Sequence, residues 1–252
     1  VLEATLRRDR AVLGIGLLGL AVLAWAYVAR MAAAPAGGMS SMAMPGMAAG
    51  GTPGLGWLVG MWAVMMVAMM LPSAAPTILL FAGVSRRRRQ QGRPAVPVAL
   101  FTLSYLLVWT VYAAAAATAQ WKLHRLTLLS PAMASASPIL AGGLLIAAGL
   151  YQWMPLKGAC LSHCRSPLGF FSTEWREGAR GALLMGMRHG SFCVGCCWLL
   201  MALLFVAGVM NLVWVAAIAG FVLLEKLVRG GETLGRVAGV ALVCWGVWIL
   251  GT

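Results

Sequence analysis

The sequence predicts an all-α fold: a polytopic transmembrane helical bundle of about seven spans with a cytoplasmic N-terminus. Three observations carry this. The 252 residues are 62% hydrophobic and only 10% charged, whereas soluble domains run about 45–50% apolar and about 25% charged. Mean hydropathy is +0.88. Several apolar runs reach about twenty residues, the length a helix needs to cross a bilayer core. The same figures exclude a soluble enzyme, intrinsic disorder, collagen, a coiled coil and a disulfide-built secreted scaffold. A net charge of +13 would suggest nucleic acid in a soluble chain. Here the basic residues sit between apolar runs and report orientation in a lipid bilayer, so no nucleic-acid partner is expected.

The first span is Ala11 to about Met31, preceded by Arg7, Arg8 and Arg10. It is long for a signal-peptide core and more spans follow, so it reads as a retained helix. The second runs from about Leu55 to Val84 and meets Arg86, Arg87, Arg88 and Arg89. Pro72 and Pro76 are expected to kink or end it, with freed carbonyls turned to the bundle interior. The third is about Val96 to Ala119, the fourth about Pro138 to Met154, and the fifth lies within Gly181 to Met210. The sixth is about Leu212 to Val228 and the seventh about Leu234 to Gly251; these two short spans could also form a hairpin that does not cross fully. Residues 32–54 form a Met-rich outer loop and 155–180 a cytoplasmic loop, within one membrane domain covering 1–252. An amphipathic inner-surface helix is expected around Phe170 to Glu177. With the N-terminus inside, sixteen of the nineteen Lys and Arg fall on cytoplasmic segments, and only Arg30, Lys122 and Arg125 fall outside. That asymmetry sets the orientation.

No P-loop, dinucleotide fingerprint, nucleophile elbow or spaced carboxylate pair is present, so nothing resembles soluble-domain catalysis. Sulfur stands out instead, with 16 Met and 6 Cys. Five of the Cys lie in one stretch with two His: Cys160, His163 and Cys164, then His189, Cys193, Cys196 and Cys197. At helical spacing His189, Cys193 and Cys197 share one face, Cys196 joins it, and Cys160 and Cys164 form a second i, i+4 pair. Such donors suit Cu(I), or tetrahedral Zn(II), although the spacings match no standard zinc finger. Cys also packs as a small hydrophobe, and the adjacent Cys196 and Cys197 equally suit thiol redox chemistry. Arg188 and Glu225 are candidates to surround the site, Arg188 to offset thiolate charge and Glu225 to orient His189; both also suit the membrane interface.

The second span carries Met61, Met65 and Met69 on one stripe and Met66 and Met70 on its neighbour. Thioethers are neutral, soft ligands that can pass Cu(I) without losing protons; they also fill cores. The outer loop adds Met39, Met42, Met44 and Met47 in a Gly/Ala/Ser/Pro segment with no apolar pattern. It is similar to the methionine motifs of periplasmic copper-handling proteins, or is a flexible linker. The order suggests an ion meeting tighter ligands as it moves inward.

The strings MWAVMMVAMMLPSAAP (61–76), CLSHCRSPLGFF (160–171), the stretch Gly178 to Asn211, and Glu225-Lys226 resemble a bacterial family of predicted metal-binding integral membrane proteins of unknown function. The resemblance covers roughly residues 55 to 250 and implies metal binding through Cys160, Cys164, His189, Cys193, Cys196 and Cys197, with Met65, Met66, Met69 and Met70. The expectation is an inner-membrane protein binding copper as Cu(I), or zinc, in copper transport, delivery or homeostasis. A periplasmic copper chaperone or a copper enzyme would be its partner. A membrane thiol oxidoreductase exchanging electrons with quinone, and an accessory subunit whose Cys and Met only pack, stand as alternatives.

Overall fold

The computed structural model describes residues 2–33, 54–94, 96–126, 135 and 137–251, with side chains in the first helix from residue 11 onward. The Met-rich segment holding Met39, Met42, Met44 and Met47 lies outside the described residues. Among those described there is no strand. Ten helices follow in order: α1 Leu2–Ala33, α2 Leu55–Gln90, α3 Val98–Arg125, α4 Pro138–Tyr151, α5 Pro155–Arg165, α6 Pro167–Glu174, α7 Gly178–Ala202, α8 Leu204–Ala207, α9 Leu212–Leu227 and α10 Gly231–Gly251.

Five segments are long and apolar enough to cross a membrane: 11–33, α2, α3, the joined α7 and α8, and α10. The expected fourth and sixth spans are helical but short. At 1.5 Å per residue the 14 residues of α4 and the 16 of α9 reach about 21 and about 24 Å, less than a hydrocarbon core of about 30 Å. α4 continues into α5 through a 65° bend, and that pair together passes the test for a broken span or a re-entrant segment. The break follows from sequence: Pro155 opens α5 at a position whose N–H has no helical partner anyway. Pro167 opens α6 likewise. The stretch expected as a loop at 155–180 is therefore mostly two short helices.

α2 does not end at its prolines. It runs unbroken through Pro72 and Pro76. Leu71, Ser73, Ala74 and Thr77 are buried there, so this stretch does face the interior. Ser73 Oγ donates to the Met70 carbonyl at 2.9 Å and Tyr105 Oη donates to the same carbonyl at 3.3 Å. The helix ends with Arg87, Arg88 and Arg89 in its last turn, where cations oppose the negative end of the helix dipole.

α2 packs between α1 and α3, α3 packs on α7, α5 lies along α7, and α4 pairs with α10. The α4–α10 contact depends on missing side chains. A Cβ on Gly149 would come within 2.7 Å of the Gly239 carbonyl, and one on Gly239 within 2.9 Å of the Gly149 carbonyl. In lipid, where no hydrophobic force joins helices, such close backbone approach supplies the association. Outward faces carry apolar side chains such as Ile15, Leu103, Val111, Val213, Val237 and Trp248. Phe170 and Phe171 of α6 turn inward: Phe171 lies 5.5 Å from Phe81 and 6.0 Å from Phe101, so these rings pack on protein.

Candidate metal centre

α2 meets α7 and α8 at successive points, partly through Lys226 of α9. Trp62 meets Phe205 with ring centroids 5.3 Å apart, Met70 Sδ meets Cys197 Sγ at 4.0 Å, and Ser73 and Cys193 both contact Lys226. The helical glycines of α7 let its neighbours close in. A Cβ on Gly186 would collide with Ser104 and the Phe101 carbonyl, one on Gly190 would lie 3.3 Å from the Tyr105 carbonyl, and one on Gly195 would lie 2.7 Å from Cys160 Sγ. Three tyrosines then tie α7 down: Tyr105 to Cys193, Tyr112 to the Trp198 carbonyl at 2.8 Å, and Tyr151 to the Gly195 carbonyl.

This packing gathers the thiols. Cys193 is the hub, with Cys164, Cys196 and Cys197 as its thiol neighbours. Cys164 also neighbours Cys196. Cys193 Sγ lies 3.2 Å from Tyr105 Oη and accepts from Lys226 Nζ at 3.0 Å. Cys196 and Cys197 donate to the Cys193 carbonyl at 3.1 and 3.0 Å. All four thiols are buried and all six cysteines are free. Cys160 is half-buried on Gly195 at the edge of the cluster, while Cys244 is exposed on α10, apart from it.

His189 is one turn before Cys193 and 2% exposed. Its ring sits among Phe101, Tyr105 and Phe170 at centroid distances of 6.0, 5.7 and 5.7 Å. Its Nδ1 is buried with no hydrogen-bond partner. Buried polar atoms are rarely left so, and an unpaired imidazole nitrogen beside thiols is chemically a vacant donor. His163 behaves differently: its Nδ1 bonds to the Ala159 carbonyl at 2.8 Å and its ring stacks on Phe192 at 4.1 Å.

The thioethers Met61, Met65, Met66, Met69 and Met70 are all 5% exposed or less. On α7, Met201 is a fully buried methionine one turn past Cys197. Sulfur thus lies on both helices: the Met stripes of α2, and Cys193, Cys197 and Met201 on α7.

The charges fall elsewhere than expected. Arg188 turns away from the thiols and donates to Glu174 at 2.5 Å. Glu225 is buried and does not reach His189; it pairs with Lys157 of α5, which also donates to Gln152. The cation at the thiols is Lys226, with Ser73 Oγ as its other partner at 3.0 Å. Lys226, Tyr105, Ser73 and Met201 are the residues sequence reasoning missed. For Lys226 a signal existed, because a charge in an apolar segment costs roughly 2.5–3.5 kcal/mol unless it faces a partner. The other three signal nothing without the register.

Among the described residues, no three Cys, His, Asp or Glu side chains already surround a common point as a metal requires. The thiols of α7 are instead engaged by Tyr105, Lys226, the Cys193 carbonyl and Met70. Binding an ion therefore needs side-chain rotation within a cluster whose backbones are in place. The donor set, four soft thiols, thioethers and a vacant imidazole nitrogen, fits a soft monovalent ion.

No curated protein and no solved structure gives a significant match to the chain. A family model described as copper chaperone, PpoB2, matches residues 59–249, a stretch that takes in most of α2, all of α3 to α9 and most of α10. With three quarters of its length inside that match, the chain belongs to the PpoB2 copper chaperone family.

Proposed function

We propose that this chain is an inner-membrane copper carrier that receives Cu(I) on thioethers and holds it on the thiols of α7 and α5. The observation that carries the reading is the convergence of Cys164, Cys193, Cys196 and Cys197 next to the unpaired Nδ1 of His189. Family membership supports copper as the cargo.

The sulfur order supports a direction. Met66 and Met201 lie toward the turn at Gly208–Asn211, and the thiols lie farther from it. Lys226 is 15 residues beyond Asn211, about 22 Å of helix. With that turn at the outer face of a core about 30 Å thick, the thiols fall near the inner leaflet. The end of α2 on that side carries Arg87, Arg88 and Arg89, which the positive-inside bias favours on the cytoplasmic face. Thioethers bind Cu(I) without releasing protons, whereas thiols must ionise and hold it more tightly. Cys193 and one neighbouring thiol among Cys164, Cys196 and Cys197 would hold the ion as thiolates, with His189 beside them, and Met70 would hand it across from α2. His163 supplies no donor to the pocket in this arrangement. A periplasmic copper chaperone would load the carrier, or a copper enzyme would take the ion from it.

Elemental analysis of the purified full chain tests this. The expected result is at least one copper per chain, lost when Cys193 and Cys196 are both changed to Ser. A metal-free chain whose cysteines cycle reversibly between thiol and disulfide would replace this reading with a membrane thiol oxidoreductase. A metal-free chain with inert thiols would leave an accessory subunit.

A further inference from the structure

We propose that Lys226 is the fixed counter-charge of the copper centre and makes the pocket selective for a monovalent ion; the inference rests on the copper reading above. The Lys226 side chain is 7% exposed. Its ammonium lies 3.0 Å from Cys193 Sγ and 3.0 Å from Ser73 Oγ. The adjacent Glu225 is engaged by Lys157, and that buried pair, 2% and 3% exposed, cancels its own charge. Arg188 is held by Glu174, and Arg165 donates to the carbonyls of Val228 and Arg229. Lys226 is thus the positive charge facing the thiols.

Charge counting gives the selectivity. When one Cu(I) enters between Cys193 and a neighbouring thiol, two thiol protons leave and two Cu–S bonds form. Two thiolates, one monovalent ion and one ammonium sum to zero. A divalent ion in the same two-thiolate seat leaves one uncompensated positive charge in an apolar interior. A buried charge without a partner is strongly unfavourable. With a neutral residue at position 226 the balance inverts: the divalent ion becomes the neutral occupant, and Cu(I) leaves a stranded negative charge.

The experiment measures Cu(I) and Zn(II) affinities of the full chain in detergent by competition with chromophoric chelators. Wild type, Lys226→Met, Lys226→Gln and Lys226→Arg are compared. The two neutral variants should lose Cu(I) affinity by on the order of tenfold or more while Zn(II) affinity holds or rises, so the preference for Cu(I) shrinks. The arginine variant should keep the wild-type preference. Pure packing damage would weaken both ions alike; an unchanged Cu(I)-to-Zn(II) ratio in both neutral variants overturns the inference while leaving copper binding intact. A wild-type chain that binds no Cu(I) overturns the copper reading itself, and the inference with it.

Discussion

His189 shows how one side chain separates packing from chemistry. Its ring fills an aromatic cage made by Phe101, Tyr105 and Phe170, and that part of its role is generic. Its bare Nδ1 is not generic, because an unpartnered buried polar atom costs about 1–3 kcal/mol. His189→Phe should therefore fold as well as wild type or better, read by thermal unfolding in detergent, yet bind copper more weakly. Equal copper affinity in that variant would remove His189 from the ligand set. Cys193 and Tyr105 illustrate the opposite case, where one contact serves both ends. The Tyr105 hydroxyl bonds to the Met70 carbonyl and to Cys193 Sγ, joining α2, α3 and α7 at the level of the thiols. The i, i+4 spacing of His189, Cys193 and Cys197 was legible from sequence because all three sit on one helix face. The departure of His163 was not: its fate depends on Phe192 of another helix, and spacing carries no information about which ring stacks on it.

At the scale of elements, α5 brings the second Cys segment to the first. It is held by Lys157, which reaches across to Glu225 of α9. Removing one partner of a buried ion pair typically costs about 3–5 kcal/mol, because the other charge is left unpaired. Lys157→Met should destabilise the chain by about that amount and loosen Cys164 from the cluster; replacing both residues by apolar ones, as in Lys157→Met with Glu225→Leu, should cost far less. Unfolding of the three proteins in parallel checks the difference. The α4–α10 pair makes a second expectation. Gly149→Leu forces a side chain into the Gly239 backbone, so it should lower stability by at least about 1–3 kcal/mol, while the thiol cluster on α7 stays intact and still binds copper. Helix identity was largely readable, since long apolar runs with Gly and Ala admit little else in lipid. Helix continuity was not. α2 passes through Pro72 and Pro76, where it is packed against its neighbours, whereas the chain breaks at Pro155, where α5 turns back by 65°. A proline costs little at the first position of a helix, as at Pro155, and much more in its interior, so at Pro72 and Pro76 tertiary packing decides the outcome.

The whole molecule is a bundle in which helices of different length meet at one buried level. α2 and α7 extend well past that level, while α9 stops there, which is why Lys226 near its end can reach Ser73 and Cys193 at once. The all-helical, apolar character of the chain was legible from its composition and hydropathy. The meeting of α2, α5, α7 and α9 was not, because no local pattern encodes which helices become neighbours. The proposed orientation makes a prediction: a tag inserted after Gln91, beside the Arg86–Arg89 block, should be reachable only from the cytoplasmic side of sealed vesicles. The claim on which the account turns is that soft donors from separate helices close on one ion. X-ray absorption at the copper edge of the loaded full chain tests it most directly. The account predicts a low-coordinate shell dominated by sulfur, unchanged in His163→Ala and lost in Cys193→Ser. A shell of oxygen and nitrogen donors, or a sulfur shell indifferent to Cys193, would contradict it.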